Sequence, residues 1–260
     1  MSTESSELPL ADSASEALKQ AENLLKENRF DEASRLLESL VSEQPEHRKA
    51  CYLLAVSYRA QRRFDDALST LERLRQIAPE YGRAWQEIGH THRDCNRPHE
   101  AARAYSRAVE LNPGLAASWR FLGAALDHLG EHDRARMAKA NFRRLSELPR
   151  ELVAVTSMMH EGQLYKAEKL CRHYLQQHPH HLEAMRLLAA IGVQLNIYDD
   201  AEFLLESALE MDPDFDLARV DYVNVLQKRQ KFARAFEEAA ILRERLPGNP
   251  SAELTYANQA

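Results

Sequence analysis

Mostly apolar or small residues recur at helical spacing in two neighbouring segments between residues 82 and 115. These positions are Trp85, Ile88 and His92 in the first segment, and Ala101, Tyr105 and Ala108 in the second. Gly89 and Ala101 are small, so the two helices can approach closely where they cross. Pro113 lacks an amide hydrogen and cannot continue the second helix. The pattern therefore predicts a helix-turn-helix unit.

This unit repeats along the chain with a period of 34 residues. The small residue at the helix crossing recurs as Ala33, Ala67, Ala101 and Ala135, and the helix-ending proline recurs as Pro45, Pro79 and Pro113. The phase then slips by two residues, because the next small residue, Ala167, comes 32 residues after Ala135. The helix-ending proline at this junction is Pro149. The period of 34 residues then resumes, with Ala201 and Ala235 as the small residues and Pro179, Pro213 and Pro247 as the helix-ending prolines.

Seven repeats are predicted: 14–47, 48–81, 82–115, 116–147, 148–181, 182–215 and 216–249. The fourth repeat places Lys139 where a large apolar residue is expected. Because this repeat also holds the shortened junction, we expect two blocks, of four and of three repeats. The angle between neighbouring repeats should change near Leu145 to Leu152.

The two ends depart from the repeat. Residues 1–12 are rich in Ser and Glu, and we expect a flexible tail there. Ser13 precedes Glu16 by three residues, the capping-box pattern of a helix start, so the first helix is predicted to begin near Ser13. Residues 250–260 are interpreted as a partial eighth repeat or a capping helix, unless the chain is the front part of a longer protein.

Composition and charge narrow the function further. The chain has 44% hydrophobic residues and 8 glycines, which favours a folded, helix-rich protein. Its net charge of −6 disfavours a nucleic-acid partner. Three cysteines without close pairing indicate a reducing compartment, and Cys51 and Cys171 fall at core positions. Residues 1–12 do not resemble a signal peptide and no run of 18 apolar residues occurs, so we expect a cytoplasmic protein with no membrane partner.

The spacing of Trp85, Ile88, Gly89 and His92, followed by Ala101, Tyr105 and Pro113, resembles the tetratricopeptide-repeat superfamily. The resemblance extends over residues 14–249. It implies an all-α, right-handed superhelical solenoid of helix-turn-helix repeats. In this pattern Trp85 and Trp119 hold core positions.

A narrower resemblance concerns the run from His160 to Glu168 and onward through Pro179 to Ala189. This region is similar to the repeats that precede the catalytic domain in bacterial tetratricopeptide-sulfotransferase proteins. The Arg-Ser-Gly-Thr-Thr loop with which that family binds its nucleotide does not occur in this sequence. The alternative function is therefore the accessory region of a sulfotransferase whose catalytic domain lies outside this chain.

The family resemblance also implies a binding groove lined by the first helices, through repeat positions 2, 5, 9, 12 and 13. These positions hold eight basic residues, Lys26, Lys49, Arg59, Arg83, Arg93, Arg120, Arg186 and Lys228, and four acidic residues, Glu22, Asp94, Asp127 and Glu183. The candidate partner-binding residues are Lys49, Tyr52, Arg59, Arg83, Gln86, His90, Arg93, Arg120, Arg186, Asn224 and Lys228. Arginine binds carboxylates bidentately, so an acidic segment or a C-terminal carboxylate would fit. The alternative is that these charges only solvate the surface.

Other kinds of site find little support in the sequence. The carboxylate clamp of heat-shock co-chaperones needs Lys and Asn at repeat positions 5 and 9, and the nearest match is Val220 with Asn224. The histidine pairs and triplets have no zinc-ligand spacing, and no phosphate loop or nucleophile motif occurs. We therefore expect no metal, no cofactor and no catalysis in this chain. The predicted function is a scaffold that binds a protein or peptide in the groove.

Overall fold

A computed structural model describes residues 8–246 and Glu253, with side chains from Ala14 onward. Residues 8–246 form fourteen α-helices, and no β-strand occurs within them. The helices are α1 Leu8–Lys26, α2 Phe30–Glu43, α3 Arg48–Ala60, α4 Phe64–Ile77, α5 Gly82–Asp94, α6 Pro98–Leu111, α7 Ala116–His128, α8 His132–Glu147, α9 Arg150–His160, α10 Leu164–Gln177, α11 Leu182–Gln194, α12 Tyr198–Met211, α13 Asp216–Lys228 and α14 Phe232–Arg245. The predicted all-α helical-repeat fold is confirmed.

Each odd-numbered helix packs against the even-numbered helix that follows it, so the helices form seven helix-turn-helix pairs within residues 8–246. Each pair is joined by a three-residue turn whose middle residue has a positive φ angle. These residues are Asn28, Arg62, Asn96, Gly130, Gly162, Asn196 and Gln230. Glycine and asparagine adopt this conformation at least cost, whereas arginine and glutamine are strained in it.

The small residues and prolines of the repeat act as the sequence pattern predicts. The small residue in the first turn of each second helix is at most 1% exposed: Ala33, Ala67, Ala101, Ala135, Ala167, Ala201 and Ala235. The second helices α2, α4, α6, α8, α10, α12 and α14 each end two residues before a proline of the repeat. The missing amide hydrogen of proline explains the common end point.

Gly89 lets the ring of Tyr105 lie against helix α5. A Cβ atom at Gly89 would be 2.6 Å from the Tyr105 ring, closer than atoms can approach. One repeat later, a Cβ atom at Gly123 would lie 3.1 Å from Cγ of Lys139. The aliphatic stem of Lys139 thus replaces the expected apolar side chain, and its ammonium group forms an ion pair with Asp127.

The two-residue slip has a structural origin at the end of the fourth repeat. Helix α8 has 16 residues where the other second helices have 14, and α9 has 11 residues where the first helices α3, α5, α7, α11 and α13 have 13. Only Leu148 and Pro149 separate α8 from α9, compared with four residues at the other repeat junctions. The chain divides at this place into two compact units, residues 1–147 and 148–260.

Each unit has its own hydrophobic core. In the amino-terminal unit, one cluster includes Leu37, Cys51 and Leu71, and a second includes Tyr105 and Leu126. In the carboxy-terminal unit the clusters extend from Leu152 and Cys171 through to Leu242. The predicted core positions of Cys51 and Cys171 are confirmed, since both are fully buried.

The predicted start of the first helix is corrected by the structure. Helix α1 begins at Leu8, so Leu8 to Asp12 are helical and Ser13 lies inside the helix. Pro9 is tolerated there because it stands in the first turn, where its missing amide hydrogen has no intrahelical partner. Residues 1–7 of the predicted tail lie outside the described residues, and so do residues 250–260 apart from Glu253. Among the described helices, none has the length and apolarity needed to cross a membrane.

Candidate functional site

The candidate site lies on the surface that the first helices of the amino-terminal unit share, here called the first-helix face. Helices α1, α3, α5 and α7 supply this face. Helix α1 contacts α3, and α3 contacts α5. The amide of Gln86 in α5 donates a 2.9 Å hydrogen bond to the hydroxyl of Ser118 in α7. Side chains from neighbouring repeats therefore meet on this face.

Arg59 joins α3 to α5 and is not free for a ligand. Its guanidinium donates to the carboxylate of Glu87 and, at 2.9 Å, to that of Asp94. Glu87 is only 3% exposed, and this burial raises its pKa although the charge of Arg59 opposes the shift. Burial also acts to raise the pKa of Asp94, but hydrogen bonds from Arg93 and Arg59 outweigh it and lower that pKa. Arg59, Arg93, Glu87 and Asp94 thus form an ion-pair network within the protein.

Three further candidates on this face also have partners or little exposure. Lys49 lies 2.7 Å from the carboxylate of Glu22 in α1. Tyr52 is half-buried and packs edge-to-face on Tyr81, with ring centroids 5.9 Å apart. Gln86 is 8% exposed and bonded to Ser118, so its assignment to the groove is corrected: it belongs to the interior between two repeats.

His90 of α5, Tyr105 of α6 and Phe121 of α7 form an aromatic cluster where α5 meets α7 on the face. Nδ1 of His90 lies 2.7 Å from the Tyr105 hydroxyl, and the His90 ring packs edge-to-face on Phe121 at 5.3 Å. The rings of Tyr105 and Phe121 stack with their centroids 5.9 Å apart. Burial lowers the pKa of His90 to about 4, aided by the charges of Arg59 and Arg93. His90 is therefore neutral at pH 7 and supports Phe121.

Two arginines lie over the ring of Phe121. The guanidinium carbons of Arg93 and Arg120 are 4.3 and 4.4 Å from its centroid, within the range of a cation–π interaction. Arg93 also donates to Asp94 at 2.7 Å. Arg120 is exposed, and within the described part of the chain it has no carboxylate partner. The face thus presents an aromatic ring with a free positive charge beside it.

The candidates of the carboxy-terminal unit have a different environment. Arg186 donates to Glu183 and to Asp221 in α13, each at 2.7 Å. Burial of Arg186 disfavours its charge, but these two carboxylates outweigh burial and raise its pKa. Asn224 and Lys228 are exposed, and the Lys228 ammonium lies 6.0 Å from the Tyr198 ring. No described first helix of this unit carries a ring flanked by two arginines.

The remaining candidates add little to the site. Arg83 is half-buried. His178 and His181 pack on the Tyr174 ring, and within the described residues no group of three His, Cys, Asp or Glu side chains could hold a metal. Trp119 packs with the core and donates to the Pro113 carbonyl at 2.9 Å.

Sequence reasoning missed two residues that organise the face, Phe121 and Glu87. Both occupy repeat position 6, which the family resemblance does not assign to the groove. The equivalent residues in the other repeats are Lys19, Leu53, Val153, Leu187 and Asp221. Charged and apolar residues both occur at this position, so the sequence carries no clear signal for Glu87, and Phe121 is distinguished only as its one aromatic residue.

The helix pairs and the shared first-helix face define a helical-repeat binding scaffold. Residues 24–88 and residues 87–141 each match a sequence model of the tetratricopeptide repeat. Residues 24–141 therefore belong to the tetratricopeptide-repeat superfamily, whose repeats serve as protein-interaction scaffolds. Neither matched model supports the narrower resemblance to sulfotransferase proteins.

Several solved structures are similar to this chain. A Naa15/Naa10 complex bound to HypK-THB matches 95% of this chain at 17% identity and a TM-score of 0.47. This chain spans 38% of the length of that protein. MamA matches 77% of this chain and 92% of its own at 18% identity and a TM-score of 0.46. A tetratricopeptide repeat protein from Parabacteroides merdae matches 95% of this chain and 98% of its own length at 11% identity and a TM-score of 0.46. No curated protein matches the sequence significantly.

Proposed function

We propose that the chain is a protein-interaction scaffold that binds a peptide or protein segment on the first-helix face of its amino-terminal unit. The contact is centred on Phe121 with Arg93 and Arg120. The proposal assigns binding to this chain and no catalysis. A polypeptide partner is preferred to a nucleic acid because the net charge is −6, and the cytoplasm is the expected location.

The observation that carries this proposal is the contact of Phe121 with the guanidinium groups of Arg93 and Arg120. Aromatic and arginine side chains are enriched in protein interfaces, and the few residues that dominate binding energy there are often of these types. Arg59, Lys49 and Arg186 are held by carboxylates within the chain, so the number of basic residues open to a ligand is smaller than the sequence indicates. Arg120 retains an unpaired charge within the described residues, which favours a partner with a carboxylate near the contact.

The test is a selection from a random peptide display library on the immobilised full chain, followed by affinity measurements on the recovered peptides. Phe121→Ala and Arg120→Glu should each weaken binding by roughly 10- to 30-fold, the usual effect of removing a central interface residue. Phe203→Ala is the matched control for the ring, because Phe203 is 68% exposed in α12. Arg136→Glu on α8 is the control for the charge.

Circular dichroism must show that each variant keeps its helical content. Equal binding by the Phe121→Ala variant and by wild type would contradict the proposed face. So would a library from which no peptide is recovered above a blank surface.

A further inference from the structure

A cavity of about 220 Å³ opens beside Phe121, where the turn between α5 and α6 meets α7. Most of its wall is apolar, and the polar residues that also line it include two arginines. The apolar lining residues are Pro98, Ala101, Tyr105, Phe121, Ala124 and Ala125, and the polar ones are Arg93, Asn96, Arg97 and His128. A closed apolar cavity of about 150 Å³ holds a benzene molecule, and pockets for drug-sized ligands start at about 300 Å³. The space therefore suits one bulky apolar side chain.

The equivalent place between the first and second repeats is filled by polar side chains. There the hydroxyl of Ser57 and the amide of Gln61 each donate a 2.8 Å hydrogen bond to the carbonyl of Phe30. The amide of Gln61 also donates to Ser34 at 2.9 Å. The residues 68 positions later that replace the three polar side chains are Ala125, Leu129 and Ala102. These side chains cannot make such bonds, so the space beside Phe121 stays open.

Arg97 stands at the rim of this cavity with its charge available. Arg29 and Arg63, at the same position of the first two repeats, each donate at 2.7 Å to a carboxylate three residues further on, Glu32 and Asp66. Glu100 occupies that place in the third repeat, yet Arg97 lines the cavity and has no carboxylate partner within the described residues. A cation beside an apolar space selects a ligand that carries both kinds of group.

We propose that this cavity binds one bulky apolar side chain of the partner while Arg97 binds a carboxylate adjacent to it. The preferred segment then has an aromatic or large aliphatic residue next to an acidic residue or at a free C-terminus. The identification of the ligand as a polypeptide rests on the proposed function, whereas the pocket itself rests on the cavity and on Arg97.

The test uses small probes and the full ¹⁵N-labelled chain, with amide chemical shifts as the readout. N-acetylphenylalanine carries the side chain with a terminal carboxylate, N-acetyl-Phe-Asp-amide carries it with a side-chain carboxylate, and N-acetylphenylalaninamide has no charge. We expect the first or second probe to shift amides of residues 121–125 with a Kd on the order of 1 mM, given their size. The uncharged amide should bind about tenfold more weakly, because it lacks the charge-assisted hydrogen bond. Comparing the first two probes shows which source of carboxylate is preferred.

Two variants with matched controls locate the contact. Ala124→Leu fills the cavity from an exposed position of α7 and should weaken binding of the charged probes more than about tenfold. Ala140→Leu makes the same change at an exposed position of α8 and should not alter their binding. Arg97→Gln should reduce the affinity for the charged probes to that for the uncharged amide, while Arg136→Gln should leave the affinity for the charged probes unchanged.

The proposal is overturned if the charged and uncharged probes bind equally, if Ala124→Leu and Arg97→Gln leave binding unchanged, or if no probe shifts residues 121–125 at about 20 mM, well above the expected Kd. Library peptides that require Phe121 together with silent probes would retain the proposed function and reject the pocket. Probes that bind the pocket together with an empty library selection would retain the pocket and reject the proposed function.

Discussion

The two units of this chain share one way of joining their first helices but differ in what surrounds it. In the amino-terminal unit Arg59 bonds to Glu87 of the next repeat, and in the carboxy-terminal unit Arg186 bonds to Asp221 of the next repeat. Glu87 and Asp221 occupy the same repeat position. Burial raises the pKa of both carboxyl groups against the charge of their arginine. These pairs are a common structural device.

The difference lies in the residues that follow the buried carboxylate. The amino-terminal unit has Gly89, His90 and Tyr105, which together support Phe121. In the repeat that holds Asp221, the residues equivalent to Gly89, His90 and Tyr105 are Val223, Asn224 and Ala239. Val223 and Ala239 belong to an ordinary apolar cluster, and Asn224 is exposed. The arginine-carboxylate pair that both units share stabilises the fold. The aromatic cluster around Phe121 belongs to the amino-terminal unit and is the better candidate for function.

The largest expected effect tests the shared ion pairs. Arg59→Ala should lower the free energy of unfolding by about 3–5 kcal/mol, because Glu87 would remain buried without a partner. Arg186→Ala should cost about half as much by the same reasoning, since its partners Asp221 and Glu183 retain 30% and 16% exposure and can be solvated. Urea unfolding followed by circular dichroism measures both.

Adding Glu87→Leu to Arg59→Ala serves as the control. Leucine stands at the equivalent positions 53 and 187, so the double variant should recover most of the lost stability. Equal losses for the two arginine variants would contradict the stated dependence on the exposure of the partner carboxylate. No recovery in the double variant would contradict the explanation by an unpaired buried carboxylate.

The second prediction concerns His90, whose equivalent in the repeat of Asp221 is the exposed Asn224. Its folded pKa of about 4 lies below the ordinary value of 6.5, so the folded state binds fewer protons between these pH values than the unfolded state. The stabilisation is complete above pH 6.5 and is lost as pH falls through 4. Between pH 7 and pH 5 it should fall by about 2 kcal/mol.

The comparison is between wild type and His90→Gln, since other groups titrate in the same range. The difference in unfolding free energy between the two proteins should change by that amount between pH 7 and pH 5. A His90 ring that titrates near 6.5 in a proton NMR experiment would disprove its burial.

The third prediction exchanges the residues at the helix crossing. Gly89→Ala should destabilise the chain by about 1–2 kcal/mol, because the clash of its Cβ with Tyr105 exceeds the gain in helix propensity. Gly123→Ala is the control, because the one tight contact of its Cβ is with the flexible stem of Lys139, and it should be neutral or slightly stabilising. Thermal unfolding compares the two, and a stabilised Gly89→Ala variant would mean that Tyr105 does not need this glycine.

The smallest effect concerns a feature in which the units agree, the positive φ angle of each three-residue turn. Arg62 and Gln230 carry this angle where Asn28, Asn96 and Asn196 carry it elsewhere. Arg62→Asn and Gln230→Asn should each stabilise the chain by about 0.5–1 kcal/mol, since asparagine is less strained in this conformation. Thermal denaturation should show similar gains for the two, and a loss in either would contradict the common turn.

Much of the fold could be predicted from local patterns. The 34-residue phase, the buried alanines and the prolines place the helix pairs, and the two-residue slip coincides with the boundary between the units. The helix start at Ser13 was wrong because a capping pattern also occurs inside helices, and here the preceding residues continue the helix to Leu8. Local signals set the kind of element better than its ends.

The candidate site depends on contacts between repeats. The groove role of His90, Arg93 and Arg120 stays a prediction, whereas Gln86 is buried, because burial against the next repeat depends on how two repeats pack. Counting basic residues at groove positions also overstated the free positive charge. An arginine at such a position can bond to a carboxylate of the neighbouring repeat, as Arg59 does, and that pairing needs the packed structure.

The sequence by itself determined that this chain is a series of helix pairs, since helical spacing, small crossing residues and terminating prolines act within one repeat. Only the tertiary structure decided which charges are paired inside the protein and which remain for a partner. The physical reason is that the bonds of Arg59 and the stacking of His90 and Tyr105 on Phe121 join different helices. Their geometry exists only when the repeats pack.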